Sequence, residues 1–281
     1  MTAAHEELTG DAALASTPGP TISGTTRVYA LLGDPIAQVR APGLLHPLLA
    51  RRGSDAVFVP MQVAVGDVAP VVRALRQVVN LHGVLVTVPH KSAALALADR
   101  VTARASLAGS VNALRREPDG TWSADTFDGD GFVRGLVEAG YDPGDLRVCV
   151  VGAGGAGSAI AVALLDAEVA ELRLVDTDAG RLDTLCQRLS AVYPGRVTAA
   201  TEPHLADVDI AVNATPLGLR PDDPLPFPVT GLPARAVVAD IIMKPAETAL
   251  LRAAGERGLT AHPGEPMLTH QLDSYLAFFA L

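Results

Sequence analysis

Val148-Cys149-Val150-Val151-Gly152-Ala153-Gly154-Gly155-Ala156-Gly157 is the stretch that decides how this chain is read. Four apolar residues enter a loop with glycines spaced G-x-G-x-x-G, and a helical stretch, Ala156 to Leu165, leaves it. A strand that becomes a helix through such a loop offers free N–H groups and the positive end of a helix dipole to a phosphate. The three glycines play different parts. Gly152 permits the tight turn, Gly154 lets backbone approach a pyrophosphate, and Gly157 lets helix pack on strand. Ala153, Gly155 and Ala156 complete the loop. The next apolar run, Glu171 to Val175, ends in Asp176, nineteen residues after Gly157. An acid about twenty residues on is the expected partner of a ribose. A carboxylate there accepts ribose hydrogen bonds and repels a 2′-phosphate, and Thr177-Asp178 adds a second acid rather than an arginine. The stretch therefore predicts a dinucleotide site with NAD favoured over NADP. Asp176 is equally a helix N-cap, and the two roles are compatible.

Outward from this loop the chain alternates short apolar runs with amphipathic segments. Strands are predicted at Arg27 to Leu32, Ala56 to Pro60, Gly83 to Val88, Arg147 to Val151, Glu171 to Val175, Ile210 to Asn213 and Ala236 to Ile241. A hairpin is predicted from Val111 to Arg116 and Trp122 to Ala124, turned by Pro118, Asp119 and Gly120. Helices are predicted from Pro42 to Arg52, Val65 to Val79, Gly131 to Gly140 and Ala179 to Tyr193, with a last one over Glu265 to Leu281. This alternation predicts an α/β fold whose mostly parallel sheet is covered on both faces.

Composition narrows the function. Of 281 residues, 49% are hydrophobic and 19% charged, enough apolar material for a core and too much for a disordered chain. Thirty-one acidic against 22 basic residues give a net charge of −9, which argues against nucleic acid and anionic membrane surfaces as partners. Two cysteines, Cys149 and Cys186, lie in apolar segments and read as buried thiols, with no metal-ligand cluster beside them. No run approaches the roughly 18 apolar residues of a membrane span. Met1 to Thr26 has no Lys or Arg and reads as a poorly ordered tail rather than a secretory signal. The expectation is a cytoplasmic, metal-free monomer or homodimer acting on a small molecule.

Seven ordered motifs resemble the shikimate/quinate dehydrogenase family: Tyr29–Ile36, Val86–Lys91, Ala108–Asn112, Asp125–Gly129, Gly152–Gly155, Asn213–Gly218 and Met267–Gln271. The resemblance runs from about Val28 to the C-terminus. It implies a substrate-binding domain over 27–127 and 264–281, a Rossmann domain over 128–263, and an active site in the cleft between them. It further implies oxidation of a ring hydroxyl with NAD or NADP, with Lys91 and Asp128 as the catalytic pair. Chemistry agrees: interconverting ketone and alcohol needs a proton at oxygen, which a lysine can hold while a carboxylate orients it. By the same resemblance Thr87, Asn112 and Gln271 contact ring hydroxyls, and Asn213, Thr215, Gly218, Gly264 and Met267 lie along the nicotinamide. Met267 is also a natural core residue, and Asp128 a natural helix cap.

Five positions depart from the family pattern. Val39 and Ala41 stand where two serines hold the substrate carboxylate, and Met243 stands where a tyrosine does. Leu85 replaces an asparagine and Phe127 a threonine. A carboxylate among such groups lacks hydrogen bonds worth about 1.5–3 kcal/mol each. Arg40 is a candidate replacement. The expectation is unchanged redox chemistry on an alicyclic polyol or hydroxy acid other than shikimate. The alternatives are a shikimate or quinate dehydrogenase with an altered carboxylate site, and a non-catalytic dinucleotide binder that would need neither Lys91 nor Asp128.

Overall fold

A computed structural model describes residues 20–281. Two six-stranded sheets carry the fold. The first is built from β1 (Arg27–Gly33), β2 (Ala56–Gln62), β3 (Leu81–Val86), β4 (Arg100–Val101), β5 (Ala113–Arg116) and β6 (Trp122–Asp125), in the order β2-β1-β3-β5-β6-β4. β1, β2 and β3 are parallel, while β5 is antiparallel to both its neighbours. The sheet is therefore mixed, because the turn at Pro118–Gly120 closes a hairpin within it.

The second sheet holds β7 (Arg147–Val151), β8 (Glu171–Val175), β9 (Val197–Ala200), β10 (Ile210–Asn213), β11 (Val237–Asp240) and β12 (Thr260–His262). Its order is β12-β11-β10-β7-β8-β9, parallel throughout. The strand order reverses beside β7, which places the glycine loop at the switch point where open α/β sheets bind ligands.

Helices α1 (Ala41–Arg51), α2 (Val68–Leu75), α3 (Lys91–Leu95) and α4 (Ala103–Ala108) belong with the first sheet's segment. α5 (Asp128–Glu138) crosses between the sheets, packing on α6 (Gly155–Asp166) and on α9 (Glu265–Thr269). α7 (Ala179–Val192) and α8 (Ala249–Glu256) belong with the second sheet, and α10 (Leu272–Phe278) returns to the first.

Several boundaries differ from the sequence reading. The helix expected over Val65 to Val79 is α2 alone, and Val65 and Val79 are exposed beyond its ends. The apolar spacing continues where no core lies beneath it. β3 stops at Val86, leaving Val88 exposed. α5 begins three residues early, at Asp128, because the Gly131 N–H already donates to the Phe127 carbonyl. The single terminal helix is two, α9 and α10. At the break the Gln271 N–H donates to the Leu268 carbonyl, a tighter i→i+3 bond that interrupts the helical path. β4, β9, α8 and β12 are short elements without a sequence signal strong enough to be read.

Cys149 is fully buried, and burial pushes its thiol up to about 12. Cys186, on α7, is only half-buried. Of the expected tail, residues 1–19 lie outside the described residues. Thr26 is buried, and its hydroxyl accepts from the Ser23 N–H at 2.9 Å. Among the described residues no helix is long and apolar enough to cross a membrane.

Candidate active site

Lys91 opens α3, just after β3, and Asp128 opens α5, just after β6. Strand ends of one sheet thus bring together two residues thirty-seven apart in sequence. The Lys91 Nζ donates to Asp128 Oδ2 at 2.6 Å, with both side chains largely buried. Asp128 does not cap its helix: Phe127 holds the cap position and no side chain caps there. Its carboxylate is committed to Lys91 instead.

The stem of Lys91 lies directly over Gly155 of the glycine loop, where an added Cβ would come within 2.7 Å of Lys91 Cβ. The Ser110 hydroxyl donates to the Gly155 carbonyl at 2.7 Å, tying the same loop to the first half of the chain. The lysine and the glycine loop therefore share one wall.

The loop itself is shaped for a dinucleotide. Gly152 turns with φ +106°, and a Cβ on Gly157 would overlap the Gly152 carbonyl. A Cβ on Gly154 would meet nothing within 4 Å, so this backbone is open to a ligand. Asp176 Oδ2 accepts from the Ala153 N–H at 2.6 Å, and Oδ1 from the Asp178 N–H at 2.8 Å. The cap of α7 is Asp178, which accepts from the Arg181 N–H at 3.0 Å; Asp176 is not the cap. One group was not read from sequence: Arg181, whose guanidinium lies 3.1 Å from Asp178 and 3.7 Å from Asp176. A single cation between two carboxylates leaves the corner acidic.

On the other side of the loop, Asn213 uses all its hydrogen-bonding capacity locally. Its Nδ2 donates to the Leu217 carbonyl and Asp240, and its Oδ1 accepts from the Thr215 N–H and hydroxyl. Asn213 and Thr215 hold the shape of the Ala214–Gly218 turn, where Gly218 has φ +110°. Asp240, unnoticed in the sequence, also accepts from Thr248 at 2.7 Å and from the Ile242 N–H; burial raises its carboxyl above the usual range. Gly264 packs its Cα on the backbone of Ile241 and Ile242, and Met267 is a core residue.

Asn112 and Gln271 meet. Asn112 Nδ2 donates to Gln271 Oε1 at 3.2 Å and to the Tyr275 hydroxyl at 2.9 Å, and its Oδ1 accepts from the Phe127 N–H. Tyr275 was not singled out in sequence, although it lies one helical turn after Gln271. Thr87 follows the end of β3, its methyl packed on Gly33, and shares no hydrogen bond with this cluster.

The five departures converge. Ala41, Leu85 and Phe127 are buried members of one hydrophobic cluster, with Tyr29, Tyr275 and Leu272 among its other members, and Val39 and Met243, half-buried, pack against it. Phe127 packs edge-to-face on Tyr275, ring centroids 5.5 Å apart, and the Arg104 guanidinium stacks 4.8 Å from the centre of the Phe127 ring. Arg40 does not enter the cluster. It pairs with Glu265 at 2.9 Å on the surface.

A parallel-sheet nucleotide fold beside a mixed α/β fold, with a buried lysine–carboxylate pair against the glycine loop, defines a dinucleotide-dependent oxidoreductase of the two-domain kind. The family model for the shikimate dehydrogenase substrate binding domain matches residues 31–114. The shikimate dehydrogenase (NADP(+)) of Rubrobacter xylanophilus is 40% identical over 257 residues, covering 90% of each chain. The crystal structure of shikimate 5-dehydrogenase from Listeria monocytogenes, in complex with shikimate and NAD, superposes with a TM-score of 0.82 at 26% identity, covering 92% of this chain and 93% of that one. The ligand-free 5-ketofructose reductase of Gluconobacter sp. strain CHM43 gives a TM-score of 0.78 at 27% identity, covering 90% and 92%. The chain belongs to the shikimate dehydrogenase family and is an oxidoreductase acting on a CH–OH donor with a nicotinamide dinucleotide.

Proposed function

We propose that this protein interconverts a secondary alcohol and a ketone on an alicyclic substrate that carries no carboxylate, with NAD as the favoured cofactor. The observation that carries the reading is the single apolar cluster of Val39, Ala41, Leu85, Phe127 and Met243 beside an intact Lys91–Asp128 pair. An anion placed against that cluster loses several hydrogen bonds at about 1.5–3 kcal/mol each, whereas a hydrocarbon or neutral end is welcome. The Gluconobacter neighbour is named for 5-ketofructose rather than for an acid, which supports a family site adapted to other substrates.

The bound nicotinamide supplies or accepts the hydride. Lys91 Nζ protonates the ketone oxygen in one direction and takes the hydroxyl proton in the other. Asp128 holds the ammonium in place and balances its charge in a buried site. The stem of Lys91 against Gly155 keeps the proton donor beside the cofactor loop. Residues 27–127 with 264–281 bind the substrate and residues 128–263 the dinucleotide. NAD is favoured because Asp176 and Asp178 outnumber Arg181 at the ribose corner.

A second reading, oxidation of shikimate itself, draws on the names of relatives such as the Rubrobacter enzyme. It needs hydrogen-bond donors for the carboxylate in place of the missing hydroxyls, and Arg40, the candidate replacement, is engaged with Glu265. Steady-state absorbance at 340 nm separates the two. Turnover of uncharged cyclic alcohols with NAD, and weak or absent turnover of shikimate, is expected. Efficient shikimate oxidation with NADP would favour the second reading.

A further inference from the structure

Hydrogen-bond valences are nearly exhausted in the buried cluster behind the catalytic pair. Asn112, Gln271 and Tyr275 are all at least nine-tenths buried. Both hydrogens of Asn112 Nδ2 are used, one on Gln271 Oε1 and one on the Tyr275 oxygen. Both lone pairs of Gln271 Oε1 are used, by Asn112 and by the Tyr275 hydroxyl, which donates at 2.5 Å. Gln271 Nε2 spends one hydrogen on the Met267 carbonyl, and Asn112 Oδ1 one lone pair on the Phe127 N–H. Two amides have four donor and four acceptor sites in all. Tyr275 occupies one of each by direct contact, and the amide–amide bond removes another of each.

The cluster adjoins the reacting groups. Phe127 directly precedes Asp128, and the Val111 N–H next to Asn112 donates to the Lys91 carbonyl at 3.0 Å. Burial first, and the Asp128 charge second, hold the Tyr275 phenol well above its ordinary range, so it stays a donor.

We propose that Tyr275 is a specificity-determining residue whose phenol takes the hydrogen-bonding places that a second, vicinal substrate hydroxyl would otherwise fill. The enzyme then favours substrates that present one oxygen to Lys91 and carbon toward Tyr275. This rests on the proposed alcohol–ketone chemistry and adds to it the number of hydroxyls the substrate carries. With the phenol in place the two amides keep one donor, on Gln271 Nε2, and one acceptor, on Asn112 Oδ1, against two of each without it, so an added hydroxyl, which must shed its water to enter, recovers fewer hydrogen bonds.

The test compares cyclohexanol with cis-cyclohexane-1,2-diol on the enzyme with saturating NAD, by kcat/KM at 340 nm and by calorimetric affinity. The unmodified enzyme is expected to favour the mono-alcohol. Tyr275→Ala, which opens space and frees both amides, should move the ratio toward the diol by about tenfold or more. Tyr275→Phe keeps the ring and its packing on Phe127 while freeing the same amide valences. It should move the ratio the same way, by about threefold. Thermal unfolding shows which variants fold, and Tyr275→Phe alone suffices if the alanine variant does not. An unchanged ratio in the folded variants, or an equal loss for both ligands, would show a packing role only and overturn the proposal. The carboxylate-free reading fails separately, if shikimate outperforms both alcohols on the unmodified enzyme. The binding ratio for Tyr275 is readable in that case too.

Discussion

Lys91 is bound on three sides: its ammonium to Asp128, its stem to Gly155, and its carbonyl to the Val111 N–H. Lys91→Ala should lower kcat by about 10²–10⁴-fold, the usual contribution of a positioned acid–base group. Dinucleotide affinity should change little, since the loop's N–H groups remain. The variant also leaves Asp128 buried and unpaired, so a loss of about 3–5 kcal/mol in unfolding free energy is expected from a denaturant titration. Full activity in Lys91→Ala would remove lysine from the mechanism. Asp176 carries the second residue-scale prediction. It braces the loop through Ala153, and in the proposed reading its charge faces the ribose. Asp176→Ser should shrink the NAD-over-NADP preference by about tenfold or more, as expected for removing a like-charge clash with a 2′-phosphate. The ratio of dissociation constants for the two cofactors checks it; equal binding of both by the unmodified enzyme would refute the charge argument.

α5 is the element on which the two halves meet, and its glycines explain how. A Cβ on Gly131 would overlap the Met267 carbonyl and press on the Gln271 side chain; one on Gly129 would overlap the Ala159 carbonyl of α6. Asp128 therefore sits on a helix whose path is fixed by backbone contact with both halves. Gly131→Ala should destabilise the protein by about 1–3 kcal/mol and lower kcat, because relief requires moving Gln271 or Asp128. Gly255 in α8 is the control: it is exposed, and a Cβ there would meet nothing within 4 Å, so Gly255→Ala should stabilise by about 0.4–1 kcal/mol. Thermal unfolding of the two variants should shift in opposite directions. These same elements show what the sequence made legible. The glycine loop and the long strand–helix alternation were readable because their residue types have one physical use. The start of α5 was not, since Asp128-Gly129-Asp130-Gly131 has poor helix propensity and is helical only through its packing. Tyr275 escaped notice because an aromatic in a Leu- and Phe-rich helix reads as core until its hydroxyl is seen to reach two amides.

At the scale of the whole molecule the apolar cluster is an assembly from distant places: the turn after β1, the end of β3, the start of α5, the segment after β11, and α10. The five departures from the family pattern, scattered through the sequence, thus meet at one cluster, and Met243 reaches it from the segment after β11. If that volume decides the substrate, restoring polarity piecemeal should fail. A lone Val39→Ser or Met243→Tyr, at half-buried positions, offers a carboxylate one hydrogen bond where it needs several. Val39→Ser, Ala41→Ser and Met243→Tyr together should behave differently, because neighbouring changes couple. The triple variant should be less stable than the parent when free, and shikimate should raise its melting temperature while leaving that of the parent unmoved. Its kcat/KM for shikimate should rise about tenfold to a hundredfold, the return on two or three charged hydrogen bonds partly offset by Phe127 and Leu85, which stay apolar. The decisive comparison is with the unmodified enzyme. A micromolar KM for shikimate there, with kcat near the roughly 10 s⁻¹ common among enzymes, would mean that another group binds the carboxylate. The apolar cluster would then be a structural feature of the fold, and the substrate would have to be sought among the acids.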